Sequence, residues 1–306
     1  MRTRTLGDGG PEVSLVGLGC NNFGGRVDLD GTRAVVDAAL DVGITLFDTA
    51  DVYGAGGGSE ELLGRVLEGR RERVVIATKF GGDMGDGTIA RGSREYVRRA
   101  VDGSLRRLRA DYIDLYQYHR PDGITPYEET FGALDELVRE GKVRYVGHSN
   151  FSARDVEEVD ELARRRELAR PVSAQNQYSL LRREVEHDLL PTCARLGIGV
   201  LPYFPLASGL LTGKYKRDQP RPEGTRLANR DELFTDETWE RIESLDRYAA
   251  DRGITLLDVA IGGLAAQPAV SSVIAGATKP EQVRANARAG DWEPTPEDVN
   301  ALNELR

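Results

Sequence analysis

Four residue types with complementary chemistry follow one another along the chain, at or shortly after the ends of three strand-like runs. Asp48 ends the run 44–48, and Tyr53 stands five residues later. Lys79 ends the run 74–79, and His119 follows 113–118. A phenol ordinarily titrates near ~10, too high for efficient proton exchange at neutral pH. A nearby ammonium favours phenolate, so Lys79 is expected to lower the value for Tyr53. Asp48 would hold that ammonium in place, and a neutral His119 could donate a hydrogen bond to a carbonyl oxygen. Together these groups suit one task, giving a proton to a carbonyl oxygen as hydride reaches its carbon. Taken singly, each has an ordinary structural reading: a packed tyrosine, an ion pair, a satisfied core histidine. All four at successive strand ends argue for chemistry.

The elements that must position them are legible as alternating patterns. Strands are expected at 15–19, 44–48, 74–79, 113–118, 143–149, 172–177, 199–203 and 272–276. Helices are expected at 31–41, 60–67, 93–108, 127–140, 153–166, 184–196, 255–265 and 280–287. Within 93–108, Val97, Val101, Leu105 and Leu108 fall at helical spacing. Eight strands alternating with eight helices predict an α/β fold, a closed (β/α)8 TIM barrel with its site at the C-terminal strand ends. An open doubly wound sheet is the alternative. Residues 6–13 read as the turn of an N-terminal β-hairpin, between two short strands, that could close one barrel end. The segments 81–92 and 205–231 are long connections on the face expected to carry the site. The tail holds Trp292 and a short helix at 296–305. No linker, repeat or low-complexity tract breaks the pattern, so 1–306 is expected to form a single domain.

Composition narrows the function classes. The chain has 306 residues, 40% hydrophobic and 30% charged, as in a soluble globular protein. The formal net charge of −9 disfavours broad nucleic-acid binding. No apolar run approaches the ~18 residues of a membrane span, and no apolar signal core follows Met1, so no membrane association and a cytoplasmic location are expected. Two cysteines and three histidines argue against a disulfide framework and against a metal site. Lysine occurs only at 79, 142, 214, 216 and 279 in a chain that otherwise uses arginine. That sharpens Lys79, because burial and neighbours move an ammonium pKa far more readily than a guanidinium pKa.

The motifs resemble those of the aldo-keto reductase family, over essentially the whole chain. Residues 43–54 resemble its Asp–Tyr signature, and Lys79 and His119 match its other two catalytic positions. Residues 141–151 and 175–181 resemble its fifth- and sixth-strand motifs. The resemblance implies reduction of aldehydes or ketones with NAD(P)H, without a Rossmann domain. It makes Tyr53 the general acid, Lys79 and Asp48 its tuning pair, and His119 the substrate-orienting donor. Ser149, Asn150 and Gln175 match the groups that hold the nicotinamide carboxamide, and Tyr203 the aromatic stacked on the ring. Phe204, Pro205, Leu206, Ser208 and Lys214 match the pyrophosphate loop; Phe204 replaces the usual serine and removes a hydroxyl contact. Gly19, Cys20 and Asn21 match cofactor-lining positions of the first strand.

At the adenosine end, Gly276, Thr278, Lys279, Gln282 and Asn286 match the family's contacts. Many NADPH-preferring members carry Lys and Arg where this chain has Gly276 and Gln282. Members resembling potassium-channel β subunits also use Gly and Gln there, and Lys279 or Arg226 could supply the missing charge. NADPH is the expected cofactor, with NADH open. The expected partner is a small-molecule carbonyl substrate, with a monomer as the default and an oligomer open. Asn22, Phe23, Val52, Phe80, the 81–92 segment and Trp292 are expected to line its pocket. Two other functions compete within the resemblance: an NADP(H)-binding regulatory subunit of the channel-β type with slow turnover, and an NAD-dependent sugar dehydrogenase running oxidatively. A barrel hydrolase using Asp48 and His119 is a third class.

Three further features receive ordinary readings. The run 54–59 fails the Rossmann fingerprint, because Ser59 stands where a third glycine is needed, and reads as a flexible connection with Ser59 capping a helix. His148 neighbours Ser149 on a strand and is expected to pack outward. Cys20 reads as a small packing residue.

Overall fold

The computed structural model describes residues 1–305 except Gly224, Arg226 and Asn229. Thr3–Thr5 (β1) and Glu12–Ser14 (β2) pair antiparallel, turning through Gly7 and Gly9 at φ 64° and 76°. The hairpin lies across the bottom of a ring of strands, where the Asp8 amide donates to Gly197 O at 2.7 Å. The ring consists of Val16–Gly19 (β3), Leu46–Asp48 (β4), Val75–Phe80 (β5), Ile113–Tyr118 (β6), Val143–Ser149 (β7), Pro171–Gln175 (β8), Gly199–Val200 (β9) and Val273–Gly276 (β10). All neighbours are parallel, in the order β10-β3-β4-β5-β6-β7-β8-β9. Hydrogen bonds from Ser271 N to Val200 O (3.0 Å) and from Ile274 N to Pro202 O (3.1 Å) close the ring between the β9 and β10 segments. The fold is a (β/α)8 barrel, and every strand's C-terminal end opens to one face.

The helices follow their sequence signals. Leu29–Asp41 (α1) is capped by Asp28, and Arg94–Leu108 (α3) by Ser93, whose side chain accepts from Tyr96 N. Tyr127–Arg139 (α4) follows Pro126. Ala153–Arg166 (α5) opens with a Ser152–Asp155 capping box. Leu189–Leu196 (α6) ends at Gly197 in the left-handed region. Its expected first turn is instead a separate 3-10 turn, Glu184–Glu186. Leu256–Ala265 (α8), Pro280–Ala289 (α9) and Pro296–Glu304 (α10) lie where expected. None of the described helices is long and apolar enough to cross a membrane.

Asp236–Asp251 (α7) is a sixteen-residue helix that the sequence reading did not include. Its buried Trp239, Ile242, Leu245, Tyr248 and Ala249 recur at helical spacing, but the surrounding charges obscure the stripe. β9 ends at Val200, not 203: Pro202 has no amide to extend the ladder, and only an isolated bridge joins Gln177 to Tyr203 beyond it.

The core has two parts. Leu46, Ala77, Leu115, Val172, Leu201 and Ile274 fill the barrel with Leu6 and Val13 of the hairpin. A larger cluster lies between strands and helices.

Candidate active site

Each of the four groups leaves the same face. Asp48 ends β4, Lys79 is the penultimate residue of β5, and His119 follows the last residue of β6. Tyr53 opens Tyr53–Val66 (α2), whose first turn is unusual. Residues 54–57 are left-handed, at φ 70°, 60°, 89° and 112°. A Cβ on Gly54 would lie 2.6 Å from Phe23 O and 2.7 Å from Ser59 N, so the turn carrying Tyr53 requires glycine there. Ser59 does not cap this helix: its hydroxyl donates to Cys20 O at 2.9 Å and pairs with Thr49 Oγ1 at 2.8 Å.

Lys79 is fully buried and donates to both Asp48 carboxylate oxygens and to Thr49 O, each at 2.8 Å. Gln175 Nε2 also donates to Asp48, at 2.7 Å. Burial works to lower the Lys79 pKa, but Asp48 and then Tyr53 outweigh it and hold the ammonium above its ordinary value. The ammonium lies 5.2 Å from the Tyr53 ring centroid. Here the structure corrects the sequence expectation. Burial raises the Tyr53 pKa, and Lys79 only partly offsets it, so the phenol stays protonated at neutral pH. The His119 ring meets the Tyr53 ring edge-on, 5.9 Å between centroids. Burial, then Lys79 and Arg120, push the His119 pKa down to about 3, which leaves it neutral. Its Nδ1 is buried without a hydrogen-bond partner among the described residues.

Tyr53, Asp48 and His119 line one end of a cleft of about 510 Å³. The same cleft is lined by Gly19, Cys20 and Asn21, by Ser149, Asn150 and Gln175, by Tyr203, Phe204, Pro205, Leu206, Ser208 and Lys214, and by Gly276, Thr278, Lys279, Gln282 and Asn286. The remaining expected contact, Arg226, lies outside the described residues. Ser149 Oγ donates to Gln175 O (2.8 Å), Asn150 Nδ2 to His119 O (2.9 Å), and Tyr203 Oη to Asn150 Oδ1 (2.8 Å). Gln282 Oε1 accepts from Thr278 N at 2.8 Å and ties the loop to the start of α9.

The donor set fits a dinucleotide. Phe204, Ala207, Ser208 and Gly209 have positive φ (53°, 46°, 60° and 108°), so the backbone winds tightly there, with the Lys214 ammonium beside Gly209. At the far end α9 presents its N-terminus, and the exposed Lys279 adds a charge that makes no ion pair among the described residues. The half-buried Tyr203 ring forms one wall between these ends.

Sequence reasoning placed some groups wrongly and missed others. Asn22 lines the cleft, but Phe23, Val52, Phe80 and the 81–92 segment do not. Phe80 stacks on Tyr118 at 5.1 Å, and Gly82 packs behind His119. Trp292 packs against Gly262 of α8, and its carbonyl faces Arg2 at the opposite end of the barrel. His148 is buried against Phe151 (4.6 Å between centroids) and faces the helices, as alternation predicts. Burial pushes the Cys20 thiol well up, in keeping with packing. Arg26, Arg120, Glu223 and Thr225 line the cleft and were not anticipated. The exposed Arg26 and Arg120 follow strands that were recognised, so their position was an available signal.

A buried polar cluster supports the Tyr53 turn from below. Glu60 accepts from Thr78 Oγ1 (2.5 Å) and Arg107 Nε (2.7 Å), and the Arg107 side chain fills the space a Cβ on Gly57 would need. Asp51 shares this pocket, with Oδ1 unpartnered. Burial, then Glu60, push its pKa from 3.8 up to about 7, against Arg107. A raised folded value means that ionising Asp51 costs more in the folded state. Its contribution is therefore complete below about pH 4 and is lost as pH rises through 7. Asp51→Asn is expected to match the wild type near pH 4 and to exceed it by up to roughly 4 kcal/mol at pH 8–9. Urea unfolding across that range checks it, and parallel curves at every pH would contradict it.

The aldo/keto reductase family model matches residues 15–306. A probable voltage-gated potassium channel subunit beta of Oryza sativa subsp. japonica is 38% identical, over 99% of this chain and 95% of that protein. Aldo-keto reductase YhdN of Bacillus subtilis (strain 168) is 36% identical, over 100% and 93%. L-glyceraldehyde 3-phosphate reductase of Escherichia coli (strain K12) is 36% identical, over 94% and 87%. With its parallel barrel, its strand-end groups and these matches along nearly its whole length, the chain belongs to the aldo/keto reductase family.

Proposed function

We propose that the chain reduces aldehydes or ketones with NADPH, with Tyr53 as the general acid. The observation that carries this is the convergence of Tyr53, His119 and the buried Lys79–Asp48 pair at one end of a cleft whose other end is the start of α9. The dinucleotide, when bound, supplies hydride to the carbonyl carbon. Tyr53 keeps its proton at neutral pH and gives it from Oη to the carbonyl oxygen. The Lys79 ammonium, fixed by three hydrogen bonds, stabilises the phenolate left behind. His119 acts as a neutral donor: with Nδ1 buried and unpartnered, the tautomer protonated at Nε2 serves the carbonyl oxygen. Asn150, held by Tyr203 and bonded to His119 O, links the substrate end to the wall expected to carry the nicotinamide. The whole chain is read as one domain, since the last strand of the ring pairs with its first.

NADPH is favoured over NADH because Lys279 stands exposed at the start of α9, with no ion pair among the described residues. Fluorescence titration is expected to give tighter binding of NADPH than NADH, by about 10-fold or more, as for one charge-assisted contact. Lys279→Met is expected to remove most of that difference. Equal affinities in the wild type would contradict the NADPH preference and leave the fold and chemistry intact. A panel of small aldehydes, dicarbonyls, quinones and aldoses, followed by NADPH consumption, tests the activity. The relatives named as channel subunits favour a second reading, a dinucleotide-binding regulatory subunit. Tight binding with negligible turnover across the panel would favour it.

A further inference from the structure

Among the described residues, one cation in the cleft is left over when the dinucleotide is accounted for. The lining carries Arg26, Arg120, Lys214 and Lys279 against Asp48, which Lys79 neutralises, and Glu223. An electropositive cleft in a chain of net charge −9 calls for anionic occupants. Lys214 sits beside Gly209 in the left-handed loop, and Lys279 at the start of α9. Arg26 shares a second, shallower pocket with Thr278, which places it on the same side. Arg120 lies elsewhere. It directly follows His119 off β6, is exposed, and makes no ion pair or hydrogen bond with the described residues. Its charge is felt at His119 and at Tyr203, whose pKa values it works to lower. Some exposed arginines are engaged, Arg94 with Glu136 and Arg217 with Glu243, whereas Arg120 has its charge turned to the cleft.

We infer that Arg120 is a substrate-specificity residue, and that the preferred carbonyl substrates carry an anionic oxygen group, a carboxylate or a phosphate, a few bonds from the carbonyl. This rests on the reductase reading above. A guanidinium offers a planar fork of donors to either anion, at a point adjoining the group proposed to hold the carbonyl oxygen. The substrate's two ends are thereby fixed by consecutive residues.

The test compares matched pairs at low salt: 4-oxobutanoate with butanal, and glyceraldehyde 3-phosphate with glyceraldehyde. The expected kcat/KM is at least tenfold higher for the anion of one or both pairs, narrowing as salt screens an exposed charge. Arg120→Met is expected to bring that ratio near one, chiefly by raising KM for the anion, and Arg120→Lys to keep part of it. A preference in one pair alone identifies the anion as carboxylate or phosphate. Ratios near one in the wild type, or unchanged in Arg120→Met, overturn the inference. If no compound is turned over, the reductase reading fails, and calorimetry with 4-hydroxybutanoate judges the anion site by itself. Binding to the wild type and not to Arg120→Met supports the site; no binding to the wild type overturns it.

Discussion

Tyr53→Phe is expected to lower kcat for carbonyl reduction by about a hundred- to ten-thousand-fold, the scale of a lost general acid. The phenyl ring keeps the edge-on contact with His119 and the left-handed turn that follows. The dinucleotide-matching residues lie along the rest of the cleft and are untouched, so the Kd for NADPH should stay within about twofold, as for contacts that share no partner with the altered group. Steady-state kinetics with a fluorescence titration separates the two effects. Turnover within tenfold of wild type, or a collapse of NADPH binding, would contradict the role given to the hydroxyl.

Lys79→Met carries the second large effect, on stability as well as turnover. Side-chain exposure of the Lys79–Asp48 pair is 0% and 5%, so neither charge has solvent to fall back on. Removing the ammonium leaves Asp48 buried, with Gln175 as its remaining side-chain donor among the described residues. Breaking a buried pair in this way costs about 3–5 kcal/mol. The double variant Asp48→Asn/Lys79→Met, which removes both charges, is expected to recover much of that loss without restoring turnover. Urea unfolding of both variants decides it: a single-variant loss below about 1 kcal/mol would place the pair among weakly coupled surface ions.

The barrel was legible because its strands are nearly continuous apolar runs, as strands covered on both faces must be. β6 and β7, though interrupted by polar residues, were read at their observed limits. α7 was missed because its apolar stripe is diluted by charged residues on the exposed face. Asp48, Tyr53, Lys79 and His119 were legible because the chemistry recurs at one point of each strand–loop junction. The direction of the Tyr53 shift was not, since a sequence shows that an ammonium is near but not how much water burial removes. The Asp51–Glu60–Arg107 cluster was equally hidden: it joins the Tyr53 turn to α3, a contact across 47 residues between Glu60 and Arg107. Trp292 shows the opposite error. An aromatic in the tail suggested a pocket wall, yet helix packing took the tail to the far end of the barrel.

The most direct test of the central claim follows the transferred hydrogen itself. The protein would be incubated with NADPH deuterated at the transferable position of nicotinamide C4 and a reactive aldehyde, and the alcohol examined by mass spectrometry. One deuterium is expected on the carbinol carbon of each alcohol formed, and little labelled product over the same time from Tyr53→Phe. Tight binding of the labelled NADPH with no deuterated alcohol from any carbonyl tested would contradict it and leave the regulatory reading in its place.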